Sequence, residues 1–516
     1  MSMLGFTTTM MCTWEAVFFS SFTGLLNGGP PTLIYGFIFC WLGTFSVAAS
    51  LAEMASFAPT AGGQYHWVSM LAPKSYSNFL SWLTGWIATL GWNANTAAGV
   101  FFGGTMIQGL LVLNYPNYGF ERWHGTLLMW ACLLACIFVN TIGARLLPKI
   151  EGVILILHTL GFFAILIPLV ILAPKGSVSF VFQDFANQAG WSSNGLAWFV
   201  GLISTNLPFI GYDGPCHMAE EVQNASTIVP WCMIATIGLN GVLGFAICIA
   251  FSFSLTNLDG LNNALLSPTG YDFIEVFKVA TNNLAGSSVM TAILIALVTC
   301  ASFGFLATAS RQTWAFARDR GLPFSNFLSY VSYPTKIVHP LFSPRQSSST
   351  TNLFDTFQVG NSALPLRSVI FCATITALIG LINIGSTAAF NAIVSLTIAG
   401  LFLSYLFPIL LMIRKRVKGE QVRMGPWTLG KFGLPCNIIA ACFLIISTLF
   451  SFFPPALPVT LVTMNWSCVV FGGVVIIGLV YYVLWGRNVY HGPIIERPIL
   501  LTDQTPTPEI ETGGKD

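Results

Sequence analysis

Long apolar runs recur along this chain, separated by shorter polar stretches. Twelve of them approach or exceed the roughly 20 residues that a helix needs to cross the hydrocarbon core of a bilayer. They lie near 4–26, 32–56, 78–113, 124–143, 149–173, 194–218, 230–254, 287–310, 367–385, 388–412, 433–453 and 464–485. The fifth, seventh and twelfth runs are the cleanest, whereas the first and sixth are interrupted. The pattern predicts an all-α membrane protein in which 1–485 forms a single domain of twelve transmembrane helices. The first run begins almost at Met1, with no basic leader and no small-residue cleavage site, so a cleaved signal peptide is not expected.

Composition supports the membrane reading. Of the 516 residues 54% are hydrophobic and 8% charged, against about 25% charged in a typical soluble chain. So few charges cannot cover a water-facing surface of this size, and lipid is the expected partner. A net charge of +2 gives no reason to expect nucleic acid as a partner. If the N-terminus is cytosolic, 18 of the 21 Lys and Arg fall in cytosolic segments, leaving Arg122, Lys175 and Lys278 outside. The positive-inside rule therefore places both termini in the cytosol. Residues 332–361, rich in Ser, Thr and Pro, read as a flexible cytosolic insertion, and 486–516 as a disordered cytosolic tail. The 12 cysteines show neither CxxC nor zinc-ligand spacing and read as small core residues; no metal or other cofactor is expected.

Two places break the rules of lipid-embedded sequence. Midway through the first run stands Cys12-Thr13-Trp14-Glu15, with an acid near the bilayer centre. In the sixth, Pro208-Phe209-Ile210-Gly211-Tyr212-Asp213-Gly214-Pro215 places two prolines and two glycines within eight residues, and no undisturbed helix accommodates that. Irregular backbone at membrane depth survives only beside a cavity, and ionisable groups there are functional candidates. The interrupted runs are five apart, as in transporters built from two inverted repeats with broken helices at the midplane. The first repeat would be about 4–173, the second about 194–412, with additional helices at about 433–485.

Half-helices ending at a break expose carbonyls that suit an ammonium group, and those starting there expose N–H groups that suit a carboxylate. Trp14, Phe209 and Tyr212 offer cation–π faces, and Glu15 and Asp213 add negative charge. The candidate substrate-binding residues are thus Thr13, Trp14, Glu15, Asn93, Phe209, Gly211, Tyr212 and Asp213. Asn93 belongs to a polar patch of the third run with Trp92, Asn95 and Thr96. His158, inside the apolar fifth run, is with Glu15 the candidate for proton coupling. Each has a purely structural alternative: Glu15 paired within the bundle, Asp213 capping a kink, His158 as a packing residue.

Several motifs carry a family resemblance. Glu53-Met54-Ala55-Ser56, Pro59, Ala61-Gly62-Gly63-Gln64-Tyr65 and Trp67 resemble the end of span two in the amino acid–polyamine–organocation superfamily. Ala219-Glu220-Glu221 with Asn224 and Pro230 resembles its loop after span six. Ser310-Arg311-Gln312 through Arg318-Asp319 and Gly321-Leu322-Pro323 resembles its loop after span eight. Within the superfamily the chain is most similar to the fungal amino acid/choline transporter group, through Arg122-Trp123-His124, His217-Met218-Ala219-Glu220-Glu221, Trp427 to Gly433 and Phe453 to Thr460. The resemblance implies a five-plus-five inverted-repeat core with two added helices, and a substrate site lined by the breaks at Thr13–Glu15 and Phe209–Gly214. It also implies that a basic residue of span five, here His158, takes the place of a sodium ion in proton-coupled members. Choline-transporting relatives tend to carry an apolar residue where Glu15 stands, which argues against choline itself. Relatives also tend to carry a longer cytosolic N-terminal tail.

The expected function is secondary active transport of an amino acid, or a related small amine or quaternary ammonium compound, coupled to protons. The plasma membrane is the expected location, with the vacuolar or another internal membrane as the alternative. Export of a nitrogenous secondary metabolite is the alternative direction, and a non-transporting nutrient sensor the alternative class. No nucleophile–base pair or metal cluster suggests an enzyme. Asn465-Trp-Ser is a weak glycosylation signal on the outer side.

Overall fold

The structure is a computed structural model that describes residues 2–144, 147–331, 364–385, 389–461 and 463–494. The expected insertion at 332–361 and the part of the expected tail beyond 494 lie outside the described residues. Among the described residues, ten helices are long and apolar enough to cross a membrane. The first and sixth apolar runs are instead strings of short helices.

The first run folds as α1 (Ser2–Met11), α2 (Thr13–Phe19) and α3 (Phe22–Leu26), and α4 (Pro30–Phe57) follows. A short helix, α5 (Gln64–Leu71), precedes the long α6 (Ser77–Asn114), α7 (Arg122–Thr141) and α8 (Leu147–Ile171). After α9 (Val178–Phe182), the sixth run folds as α10 (Asn194–Gly201), α11 (Ile203–Asn206), a 3₁₀ turn (Leu207–Phe209) and α12 (Gly214–His217). The long α13 (Ala225–Ser254) leads to two amphipathic connecting helices, α14 (Leu258–Leu265) and α15 (Asp272–Thr281), and then to α16 (Leu284–Arg318). The rest comprises α17 (Ser325–Leu328), α18 (Leu366–Gly380), α19 (Ile382–Gly385), α20 (Ala389–Val417), α21 (Gly433–Ser451), α22 (Ser467–Tyr481) and the short α23 (Arg487–Val489). Among the described residues, one two-residue strand pair, Asn27–Gly28 with Ala186–Asn187, ties the C-terminal end of the first run to the approach of the sixth.

The fifth span shows how the apolar pattern is divided between protein and lipid. On α8, Glu151, Ile154, His158, Phe162, Ile165 and Leu169 are buried. They recur every three or four residues and so form one stripe. The opposite stripe, with Ile156, Leu160, Phe163 and Ile167, is exposed and apolar apart from Thr159, whose hydroxyl donates to the Leu155 carbonyl, as suits a lipid-facing surface. Small residues bring other helices together. A Cβ on Gly91 of α6 would lie 2.7 Å from the Leu401 backbone nitrogen of α20, so only glycine fits that crossing.

One boundary differs from expectation for a clear reason. The apolar run of the eighth span ends near 310, but α16 stays helical to Arg318. Arg311 and Arg318 lie seven residues apart on the same helix face and meet Glu221 at 2.5 Å and Glu220 at 3.0 Å. The charged extension is therefore supported by partners rather than by lipid. These pairs, with Arg416–Glu53 at 2.6 Å, mark what we call the basic face of the bundle. The ends carrying the strand pair, α14 and α15 form the opposite face.

Candidate functional site

Both interrupted runs break where the sequence placed the breaks. In the first, Cys12 adopts a left-handed conformation (φ 37°, ψ 47°) between α1 and α2. That conformation costs a non-glycine residue about 1–2 kcal/mol and persists because the packing around it leaves no alternative. In the sixth, Ile210 is extended and Gly211 takes φ 107° before α12 begins with Gly214 and Pro215. The two breaks abut: a Cβ on Gly211 would lie 3.9 Å from the Met11 Cα. Ser20 and Ser204 lock the segments above them. Ser20 Oγ donates to the Ser204 carbonyl at 2.8 Å, and Gly24 N–H donates to Ser204 Oγ at 2.8 Å.

A small cavity of about 20 Å³ lies at this junction, bounded by Cys12 and Ala16 of the first run, Ile210 of the sixth, Asn95 and Phe102 of α6, and Phe305 of α16. Most of its wall is apolar. Asn95 is buried, and its Nδ2 has no hydrogen-bond partner within the described residues. Toward the face opposite the basic one lies a vestibule of about 280 Å³, whose wall includes Phe22, Phe101, Arg122 and Asp272. Phe19 borders both spaces, and its ring meets that of Phe102 with centroids 4.5 Å apart. A single aromatic layer thus separates the vestibule from the cavity. Asp272, at the start of α15, accepts from Ser21 Oγ at 2.7 Å, and burial pushes its carboxyl up to about 7 against that hydrogen bond.

Toward the basic face the closure is much thicker. Asp213 is fully buried and accepts from Gln64 Nε2 at 2.8 Å and from Tyr405 O–H at 2.7 Å. His217, one turn along, has Nε2 3.5 Å from the same carboxyl, and its Nδ1 lies 2.9 Å from the Ala61 carbonyl. These contacts join α5, the sixth-run break and α20 beneath the cavity, and the arginine–glutamate pairs lie beyond them.

The expected site residues therefore divide into groups, and none of the eight borders the small cavity in this conformation. Glu15, Trp14 and His158 form one group between the first run and α8. His158 Nδ1 and Glu15 Oε1 are 2.7 Å apart, both buried, and the Trp14 ring packs on His158 and Phe162 at 5.7 and 6.0 Å. Trp14 turns to α8 because apolar ring surface is available there. Tyr212 and Asp213 form the second group, with the Tyr212 ring 5.6 Å from that of Tyr405. Phe209 packs on Phe37 at 4.8 Å, Thr13 faces Gly244 of α13, and Asn93 donates to the Thr89 carbonyl. Asn95, two residues further along α6, is the side chain that reaches the cavity. Asn465 is buried, and its Nδ2 donates to Ser395, Ser451 and Phe453. That amide is not accessible to a glycosylating enzyme, which corrects the expectation drawn from its motif.

Sequence reading missed Gln64, Tyr405, Phe19 and Phe102. Gln64 stood inside a quoted motif, and His217 lies four residues from Asp213, the spacing that puts two helical side chains together. Nothing distinguishes Phe102 from the many other aromatics of the apolar runs.

Two discontinuous helices around a small closed cavity, with a vestibule leading toward it from one face as far as a single aromatic layer, are the architecture of a membrane transporter. Residues 1–474 match the amino acid permease family, and the chain belongs to it. It is similar to a choline transporter of Saccharomyces cerevisiae, 32% identical over 498 residues that cover 95% of this chain and 81% of the relative. It is 30% identical over 491 residues to the amino-acid permease BAT1 of Arabidopsis thaliana, covering 92% and 88% of the two chains. A Macrophomina phaseolina protein named for amino acid and polyamine transport is 30% identical over 468 residues, 90% of this chain and 96% of that one.

Proposed function

We propose that this protein is a proton-coupled secondary transporter of an amino acid or related small amine, working through twelve membrane crossings arranged as five plus five inverted, with two added. The observation that carries the reading is the buried Glu15–His158 pair at 2.7 Å. An acid and a base in contact, away from water, exchange a proton at low cost, whereas either alone at this depth would be expensive. The pair joins α2 to α8, directly behind Cys12 and Ala16, which border the cavity. A proton taken by the pair loosens its hold between the two helices, and that couples protonation to movement of the broken helix.

The substrate is expected to bind between the breaks. The start of α2 at the junction offers N–H groups that suit a carboxylate, and Asn95 Nδ2 adds an unused donor. The carbonyl ends of α1 and of the Leu207–Phe209 turn suit an ammonium group. This dipolar arrangement favours an amino acid over a ligand with positive charge alone. The names of the relatives, which include both a choline transporter and amino-acid permeases, are consistent with a small nitrogen compound.

We take the basic face as cytosolic by the positive-inside rule, with both termini there and the plasma membrane as the site of action. The vestibule then faces outward, and the thick Asp213 closure seals the inside. The test is uptake into proteoliposomes of the full chain, with radiolabelled amino acids and radiolabelled choline as probes. Accumulation should follow an inward pH gradient and ignore sodium. Accumulation that ignores the pH gradient would contradict the coupling, and transport of neither probe class would contradict the substrate range.

A further inference from the structure

We propose that Glu151 is a second proton station, which receives the proton from the Glu15–His158 pair and passes it to the water on the basic face. The inference rests on the proton-coupled reading above and extends it by one residue.

Glu151 stands one turn into α8 from the basic face and is 4% exposed. Among the described residues it makes no ion pair. Its one hydrogen-bond partner among the described residues is the Thr9 hydroxyl of α1, at 2.9 Å from Oε2. Among the described residues, the charged groups on the surrounding elements are committed or distant. Lys149 is exposed two residues earlier, about 200° around the helix. The described residues of α13 include no acidic or basic side chain. Arg311 and Arg318 of α16 are held by Glu221 and Glu220, and α16 otherwise contributes the Cys300 thiol near Glu151. The charged side chains of α15 are at the other face of the bundle. A carboxyl buried without a cation is a strong candidate for a group that carries a proton during part of a cycle.

The hydrogen-bond geometry fits both protonation states. A threonine hydroxyl has one proton. Thr9 Oγ1 lies 2.9 Å from the Gly5 carbonyl and 2.9 Å from Glu151 Oε2, and it cannot donate to both. When Glu151 carries a proton, it donates to Thr9 Oγ1, and Thr9 donates to Gly5. When Glu151 is ionised, Thr9 turns its proton to the carboxylate. One rotation of a hydroxyl thus accommodates the arrival and departure of a proton, with no unpaired donor in either state.

Glu151 and His158 are seven residues apart, two helical turns and about 10.5 Å along one buried stripe. Both face the first run, across its break: Glu151 meets α1, and His158 meets α2. Ile154, buried between them, and the Leu155 methyl against Gly5 keep the interval dry while α1 lies on α8. When α1 moves away to open the basic face, water fills the interval. The proton leaves the Glu15–His158 pair, crosses on water, and forms an O–H bond on ionised Glu151. That bond later breaks as the proton passes to the aqueous phase. No other reactant is needed.

The test compares two measurements on the full chain in proteoliposomes, with radiolabelled amino acids and radiolabelled choline as probes. Counterflow exchanges labelled for unlabelled substrate without net proton movement, whereas gradient-driven accumulation requires proton release. Glu151→Gln keeps an acceptor for Thr9 but cannot ionise. It should lower gradient-driven accumulation by about tenfold or more and leave counterflow within about twofold. Glu151→Asp should restore accumulation, and Thr9→Val, which removes the hydroxyl but not the acid, should leave most of it. Normal accumulation in Glu151→Gln would overturn the proposal. Equal loss of counterflow and accumulation in Glu151→Gln and Thr9→Val would also overturn it, by showing that the contact is only a clasp. If the unaltered protein ignores the pH gradient, the coupled reading itself fails, and that result appears before any variant is compared.

Discussion

Replacing Asp213 by asparagine should open the basic face rather than simply weaken substrate binding. The carboxyl is buried, and its two oxygens accept from Gln64 and Tyr405 at 2.8 and 2.7 Å. Asparagine keeps one acceptor oxygen and puts an N–H₂ donor where the second was. Either one of the two incoming donors loses its acceptor, or Gln64 turns its free Oε1 to the new N–H₂ and leaves its own Nε2 without the bond it had. Leaving a buried polar group unsatisfied costs about 1–3 kcal/mol. The penalty applies only where α5, the sixth-run break and α20 are together, so it shifts the balance toward the state in which they part. A shift of that size changes the population ratio by about 5- to 150-fold. Cys12 reports it, because this thiol borders the cavity and is buried in the closed state. Inside-out vesicles would be treated with a membrane-impermeant maleimide, and the Cys12 peptide quantified by mass spectrometry. Labelling should be faster in Asp213→Asn by a factor in that range. Unchanged Cys12 labelling together with a weakened substrate affinity would refute the reasoning and make Asp213 a ligand for the substrate.

Three further outcomes are expected. Tyr405→Phe removes one of the same hydrogen bonds, worth about 1 kcal/mol, so it should raise Cys12 labelling in the same direction by a smaller factor. Asn95→Ala removes the unused donor at the cavity; if that donor binds the substrate, the apparent KM should rise about tenfold, equivalent to about 1.4 kcal/mol, with little change in thermal stability, and an unchanged KM would remove Asn95 from the site. The Asp272 carboxyl, pushed up to about 7 by burial from an ordinary 3.8, binds its proton more tightly in the folded protein than in the unfolded one. Its contribution to stability is therefore greatest at low pH and is lost between about pH 4 and 7; the Tm measured in detergent should fall less steeply across that window in Asp272→Asn than in the unaltered protein.

Much of the architecture was legible in the sequence because lipid imposes simple rules. The ten long helices fall on apolar runs, and the interruptions at Cys12–Glu15 and Pro208–Pro215 appear as real breaks, since proline and glycine density at membrane depth has few other meanings. The direction in which individual side chains point was not legible. At a break the helical period is lost, so a one-residue difference decides whether a group faces the cavity or its back. Cys12 and Ala16 face the cavity, while Thr13, Trp14 and Glu15 between them do not. Within the unbroken α6, Asn95 reaches the cavity and Asn93, two residues and about 200° away, does not. Glu15 and His158 were identified singly as candidates for proton coupling, but their direct contact links residues 143 positions apart, and no local pattern encodes that. Asp213 stood out as a buried acid, but its partners come from α5 and α20 and depend on tertiary packing. The continuation of α16 to Arg318 was hidden for a related reason: its stabilising glutamates belong to a distant segment.

The central claim is that transport carries protons through Glu15 and His158. It is tested most directly by trapping a pH-sensitive dye inside proteoliposomes with no imposed pH gradient and adding substrate outside. The unaltered protein should acidify the lumen as substrate enters. Glu15→Gln and His158→Gln should abolish the acidification, with at least one of them retaining substrate counterflow. Substrate entry with no change in luminal pH, or full acidification in both variants, would contradict the account.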